Sequence, residues 1–211
     1  MKAELIRYTP APDELCGYAA AECYQGKNYE RSLARALENG HHSTIEHASF
    51  TFAVEGVSRV LLAQLTRHRH ASFSVQSQRY CGADLDVVIP DSMADPDLLD
   101  EIVEVRCAVR RLYEKAKKLK KPDEDIRYFT LQAGKTRLVM TMNARELHHF
   151  FELRCCRRAQ WEIRQLAWEM LKICKEAAPQ IFEHAGPPCL YGSCPEGKMS
   201  CGKPYTREEN D

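Results

Sequence analysis

The sequence predicts an α+β (α/β) fold, a single domain whose central mixed or antiparallel sheet is flanked by long helices. Three observations carry that reading. Segments with a period of two, at 3–8, 48–57 and 135–142, lie between segments with helical periodicity. A chain of 211 residues with 44% hydrophobic residues suits one core better than two. No internal repeat, low-complexity linker or domain boundary interrupts the pattern.

Residues 3–8 alternate well enough for an edge or first strand. Pro12 and Asp13 open a helix over 12–24, and a second helix over 29–39 stops at Gly40. Ser43 and Glu46 form a capping-box pattern, which starts a short helical turn directly after His41 and His42. Residues 48–57 (ASFTFAVEGV) put Phe50, Phe52 and Val54 on one face of a strand. A helix from Ser58 to about His68 carries Val57, Leu61, Leu65 and His68 on one stripe, with Val60, Gln64 and Arg67 on the next. Residues 82–90 read as a loop running into the apolar stretch Val87 to Ile89.

Asp95 and Pro96 open a long helix reaching about Lys120. Its Leu98, Ile102, Val105, Val109, Leu112, Ala116 and Leu119 are spaced for packing against another helix. Pro122 interrupts, 123–130 reads as a shorter helix, and 135–142 (KTRLVMTM) as a strand. Asn143 and Glu146 give an N-terminal cap signature for a helix over 144–155. A last long helix over 159–178 has its apolar stripe at Ile163, Leu166, Ala167, Met170, Leu171, Cys174 and Ala178. The organisation is therefore a domain over 1–186 and a Gly/Pro/Cys-rich tail over 187–211.

Lys plus Arg equals Asp plus Glu at 30 each, so no global field draws the chain to nucleic acid or to an anionic membrane. No stretch approaches the roughly 18 apolar residues of a membrane span, and the start has no apolar segment behind a basic one. A soluble, cytoplasmic protein is expected. Seven of the ten cysteines, Cys16, Cys23, Cys81, Cys107, Cys155, Cys156 and Cys174, are scattered through core-like segments and should be reduced. Cys189, Cys194 and Cys201 crowd the tail, either as reduced thiols on a mobile segment or as metal ligands with a fourth such as His184. The paired C-x2-C knuckles of a zinc site are absent. His41, His42 and His47 flank Glu46 but lack the i, i+4 spacing of a helical metal site, and no metal is expected.

Two features break the structural pattern. Arg154 falls on the same helix face as Leu147, Phe150 and Phe151, where a guanidinium needs a partner. Either it pairs internally with a carboxylate such as Glu162 or it faces a bound anion. The run from Gln64 to Tyr80 holds three Arg, two His and three Ser within seventeen residues, with Phe73 and Tyr80 interleaved and no carboxylate. Such donors suit a phosphate plus a heterocycle with carbonyl edges. A helix C-terminus stabilised by cations, followed by a polar strand or loop, accounts for Arg67 to Arg69. It leaves Ser72, Ser74, Gln76, Ser77, Gln78 and Arg79 without a role. No G-x-G-x-x-G turn, Walker loop or G-x-S-x-G elbow is present.

Arg67-His68-Arg69, seven residues, then Ser77 resembles the R-H-R-x7-S signature of the flavin-dependent thymidylate synthases. The flanks agree at Ser72 to Tyr80, at Thr141-Met-Asn-Ala-Arg145, and at Phe151-Glu-Leu-Arg154 followed by Ala159-Gln-Trp-Glu-Ile163. The resemblance covers roughly residues 39–165. It implies reductive methylation of dUMP to dTMP, with the carbon from 5,10-methylenetetrahydrofolate and the hydride from NADPH through FAD. It also implies a homotetramer with active sites at subunit interfaces. His41, Ser43, Arg67, His68, Arg69, Asn143, Ala144, Arg145 and His149 match its FAD-contacting positions. Gln64, Leu65, Thr66, Arg67, Val75, Gln76, Ser77, Gln78, Arg79, Arg127 and Arg154 match its nucleotide-binding positions.

On the family pattern Arg154 is the catalytic group, stabilising negative charge on the uracil ring in place of a cysteine nucleophile. Ser77, without an adjacent base, is expected to hydrogen-bond substrate rather than attack it. Two positions depart from the pattern: Val75 stands where some members carry Glu, and His149 where some carry Asn.

Overall fold

Strands β1 (Lys2–Tyr8), β2 (Ser49–Ser58), β3 (Ala71–Val75) and β4 (Lys135–Asn143) pair in the order β1-β2-β4-β3, in a computed structural model that describes residues 1–206. Every pairing is antiparallel, so of the two sheet types expected the antiparallel one forms. A register shift between Glu55 and Val57 coincides with Gly56 at φ 70°, a left-handed conformation that a side chain would disfavour. Beyond that bulge β2 continues to Ser58.

The helices are α1 (Pro12–Tyr24), α2 (Tyr29–Glu38), α3 (Arg59–Leu65), α4 (Pro96–Lys118), α5 (Asp123–Ile126), α6 (Ala144–Arg154), α7 (Trp161–Ala177) and α8 (Pro179–Phe182). Phe50, Phe52 and Val54 of β2 alternate into one face of the sheet, as do Leu138, Met140 and Met142 of β4. With Leu147, Phe150 and Phe151 of α6 and the expected α7 stripe they form one core. The opposite face is more polar and carries a Thr51–Thr141 hydroxyl pair at 2.9 Å. Such a one-sided sheet is what period-two strands produce.

Three boundaries differ from the sequence expectation. Helix α3 ends at Leu65 rather than near His68, but Arg67 and His68 donate their backbone N–H groups to Gln64 and Leu65. These tightened bonds keep His68 over the buried stripe. The expected helix over 123–130 is the single turn α5 followed by a 3-10 turn, Arg127–Phe129. The short turn expected from Ser43 is a 3-10 turn, His42–His47, flanked by His41.

Helix α4 is long, as expected, but none of its residues is buried among the described residues. Leu98, Val105, Leu112 and Leu119 of its apolar stripe stay exposed, so among the described residues no helix covers these four positions. The tail is not detached either. Leu190 is buried, the Arg157 guanidinium sits 3.9 Å over the Tyr205 ring, and Trp168 meets the same ring edge-on. No helix among the described residues is long and apolar enough to cross a membrane.

Candidate functional site

The junction of α3 and α6 gathers the residues that broke the sequence pattern. His68 is 5% exposed; its Nδ1 lies 2.9 Å from Glu146 Oε1. Arg154 Nε donates to His68 Nε2 at 3.1 Å. Because Arg154 can only donate, Nε2 must carry the lone pair, and the ring proton is therefore on Nδ1, pointing at the carboxylate. Burial pushes the His68 pKa down, and the Arg154 charge works in the same direction against the Glu146 hydrogen bond. The ring is neutral at physiological pH.

Glu146 sits in the first turn of α6 and Arg154 in its last, the ends that a helix dipole favours for an anion and a cation. Burial lowers the Arg154 pKa, and the neighbouring Arg67 charge lowers it further, so two guanidiniums converge here. The His149 ring lies 5.9 Å from that of His68. The expected alternative partner of Arg154 is engaged elsewhere: Glu162 accepts from the backbone N–H and hydroxyl of Ser58, the cap of α3. Arg154 lines a cavity of about 410 Å³ with Arg158, Cys156, Cys189 and Cys194, so the tail forms part of its wall.

The other sequence candidates fall in three places. Gln64 Nε2 contacts Gln160 Oε1 at 3.5 Å, whereas Leu65 is fully buried in the core and Thr66 bonds back to Leu62 O. Arg69 is exposed. At the start of α6 the Asn143 side chain accepts from Glu146 N, Ala144 N donates to Ala48 O, and exposed Arg145 pairs with Glu46. His41 and Ser43 are exposed on the adjacent turn.

The remaining group surrounds the end of β3. Gln76 N donates to Arg137 O, Ser77 Oγ accepts from Arg79 N, and Arg79 pairs with Glu124 at 2.8 Å. Val75 is half-buried. Gln78 lines a polar cavity of about 340 Å³ with Arg127, Thr130 and Arg59. Burial and the Arg127 charge both lower the Arg59 pKa, and no carboxylate lines that cavity. Arg127 and Arg154 thus line separate cavities within one chain.

Sequence reasoning missed two residues. Glu146 had a sufficient explanation as a cap residue, although it shares the buried face with Leu147 and Phe150. Arg59 opens a helix and gave no signal of its own. Among the described residues no group of three or more His, Cys, Asp or Glu is arranged to hold a metal ion, and all ten cysteines are free thiols.

The sequence model of the family described as "Thymidylate synthase complementing protein" matches residues 4–180. A protein of Geobacter sulfurreducens named "Flavin-dependent thymidylate synthase" is 44% identical over 223 residues, covering 96% of this chain and 94% of its own. One of the same name from Clostridium tetani is 42% identical, with the same coverage. Another from Pyrococcus furiosus is 40% identical, over 93% of this chain and 90% of its own.

Proposed function

The chain belongs to the thymidylate synthase complementing protein family, the flavin-dependent thymidylate synthases, and on that premise we propose that it converts dUMP to dTMP with Arg154 as the catalytic group. The observation that carries this reading is Arg154 itself, held through Nε by a neutral buried histidine and facing a cavity. Among the described residues neither Nη has a hydrogen-bond partner, so the outer fork of the guanidinium is available to a carbonyl edge. Donors fixed beforehand at a site where negative charge develops lower the barrier without reorganising. The adjacent thiol is poorly suited to replace it: burial raises the Cys155 pKa well above its ordinary value.

The carbon donor is 5,10-methylenetetrahydrofolate. The flavin, when bound, supplies the hydride chemistry, with NADPH as reductant. Exposed Arg67, Arg69 and Arg145, with His41, Ser43 and His149, are the residues that would hold FAD. Cations not neutralised by buried carboxylates suit its diphosphate. Asn143 and Ala144 would act mainly by fixing the α6 terminus, since their polar groups are engaged there.

The nucleotide would take Gln64 and Arg154 near its base, with Arg127, Gln78, Ser77, Gln76 and Arg79 toward its phosphate. The exposed Arg79–Glu124 pair is weak enough to exchange for a phosphate. Leu65, Thr66 and Val75 would contribute backbone and shape. We read the active unit as a homotetramer with interfacial sites. The uncovered α4 stripe supports self-association, and the separation of Arg127 from Arg154 supports a site completed by a second chain.

The test is direct: purified protein, loaded with FAD and checked by its flavin absorbance, is given dUMP, methylenetetrahydrofolate and NADPH. Formation of dTMP is expected, with a tetrameric mass by light scattering. A flavin-loaded protein that makes no dTMP overturns the reading.

A further inference from the structure

Glu146 and Arg154 stand at opposite ends of α6, about 12 Å apart along its axis at about 1.5 Å per residue. His68, arriving from the end of α3, is inserted between their side chains. Glu146 is 7% exposed, and a carboxylate so enclosed is costly unless it accepts strong hydrogen bonds. As a capping residue it would turn its side chain back to the Asn143 N–H. Instead Asn143 caps α6 by accepting from the Glu146 backbone, and the Glu146 carboxylate is directed to His68. Phe150 packs edge-on to the same imidazole at 5.1 Å and confines the plane of the ring.

We propose that Glu146 is a positioning residue for Arg154, acting through the tautomer of His68. Its carboxylate holds the proton on Nδ1, which leaves Nε2 as the acceptor that fixes Arg154 Nε. Without the carboxylate the Nε2–H form becomes accessible. A donor would then face the Arg154 donor, and the guanidinium would lose its inner anchor. The neutral ring also matters, because an imidazolium between Arg154 and Arg67 would add a third positive charge at the junction. The relay involves no net proton transfer; it sets which atom holds the proton and hence where the guanidinium is held.

This inference rests on the proposed role of Arg154, but its first readout does not depend on activity. In protein labelled with 15N-histidine, His68 should show Nδ1 protonated and Nε2 unprotonated at pH 7. Assignment comes from loss of the signals in His68→Gln. A wild-type His68 that is Nε2–H or doubly protonated overturns the proposal, whether or not the protein makes dTMP. In Glu146→Gln, which keeps the side-chain shape, the Nδ1–H form should lose its dominance. The turnover number should fall roughly 10- to 100-fold, the size typical of losing a partner that orients a reacting group. The KM for dUMP and the flavin content should stay within about threefold, since this residue is buried and its carboxylate is engaged by His68. An unchanged turnover number, or a loss wholly in KM, overturns the positioning role.

Discussion

Helix α6 meets an imidazole on each of two sides, and the two end on different partners. On one side its own His148 donates Nε2–H to Ile181 O at 2.8 Å and stacks on Phe182 with ring centroids 5.3 Å apart. On the other, His68 lies between Glu146 and Arg154. Both rings are held neutral by burial. The His148 hydrogen bond ends on a neutral backbone carbonyl and ties α6 to α8, while the ring also meets that of His42 at 5.6 Å. The His68 contact ends on a guanidinium whose outer fork faces a cavity, so the same kind of burial transmits orientation to a group that can meet a ligand. Burial of a histidine is therefore uninformative until the chain of partners is followed to its end.

The largest expected effect breaks that contrast at the functional end. Arg154→Ala should reduce dTMP formation by roughly 10²–10³-fold, the cost of removing a fixed donor at a site of developing charge. Its melting transition and flavin absorbance should be little changed, because the side chain is only partly buried and makes its bond at the edge of the core. Normal turnover by the flavin-loaded variant would remove Arg154 from the mechanism.

The structural side should show the opposite signature. Burial pushes the His148 pKa down to about 4 from an ordinary 6.5. As pH falls from about 6.5 towards 4, the unfolded chain takes up a proton that the fold resists, so stability is complete above this window and declines through it. The loss attributable to this one group is at most about 3 kcal/mol. Glutamine can still donate to Ile181 O but does not titrate. His148→Gln should therefore flatten the decline in denaturant midpoint between pH 6.5 and 4 while turnover at neutral pH is retained. An unaltered pH dependence would show that His148 is not the group responsible.

Much of this was legible from residues alone, and the exceptions have local causes. The periodicity of β2, β4 and α7 located the core because their buried faces are mainly apolar, with Ser58, Thr136 and Glu162 as buried polar residues at their ends. Arg154 announced itself by sitting among Leu147, Phe150 and Phe151, and His68 by falling in phase with Leu61 and Leu65. Glu146 was hidden by its own capping signature, since a cheap local role satisfied it. Strand β3 was ambiguous because an edge strand with exposed Ser72 and Ser74 carries little hydrophobic alternation. The α4 stripe was expected to pack against another helix, but among the described residues Leu98, Val105, Leu112 and Leu119 stay exposed. Periodicity reports that a face is to be covered, not by which molecule.

The smallest expected effect sharpens the comparison by testing a cation that touches neither side of α6. Arg127 and Arg59 line a cavity with no carboxylate, and the Arg127 charge disfavours the charged form of Arg59, so an anion entering there would relieve their repulsion. A phosphate there would gain a charge-assisted hydrogen bond worth about 1.5–3 kcal/mol from Arg127. Arg127→Ala should accordingly raise the KM for dUMP by roughly tenfold or more while the turnover number at saturation stays within about threefold. The 15N signals of His68 should not move, because nothing in the Arg127 cavity reaches the relay. A fall in the turnover number with KM unchanged would place Arg127 among the groups acting at the reacting ring and erase the division between a binding cavity and an orienting one.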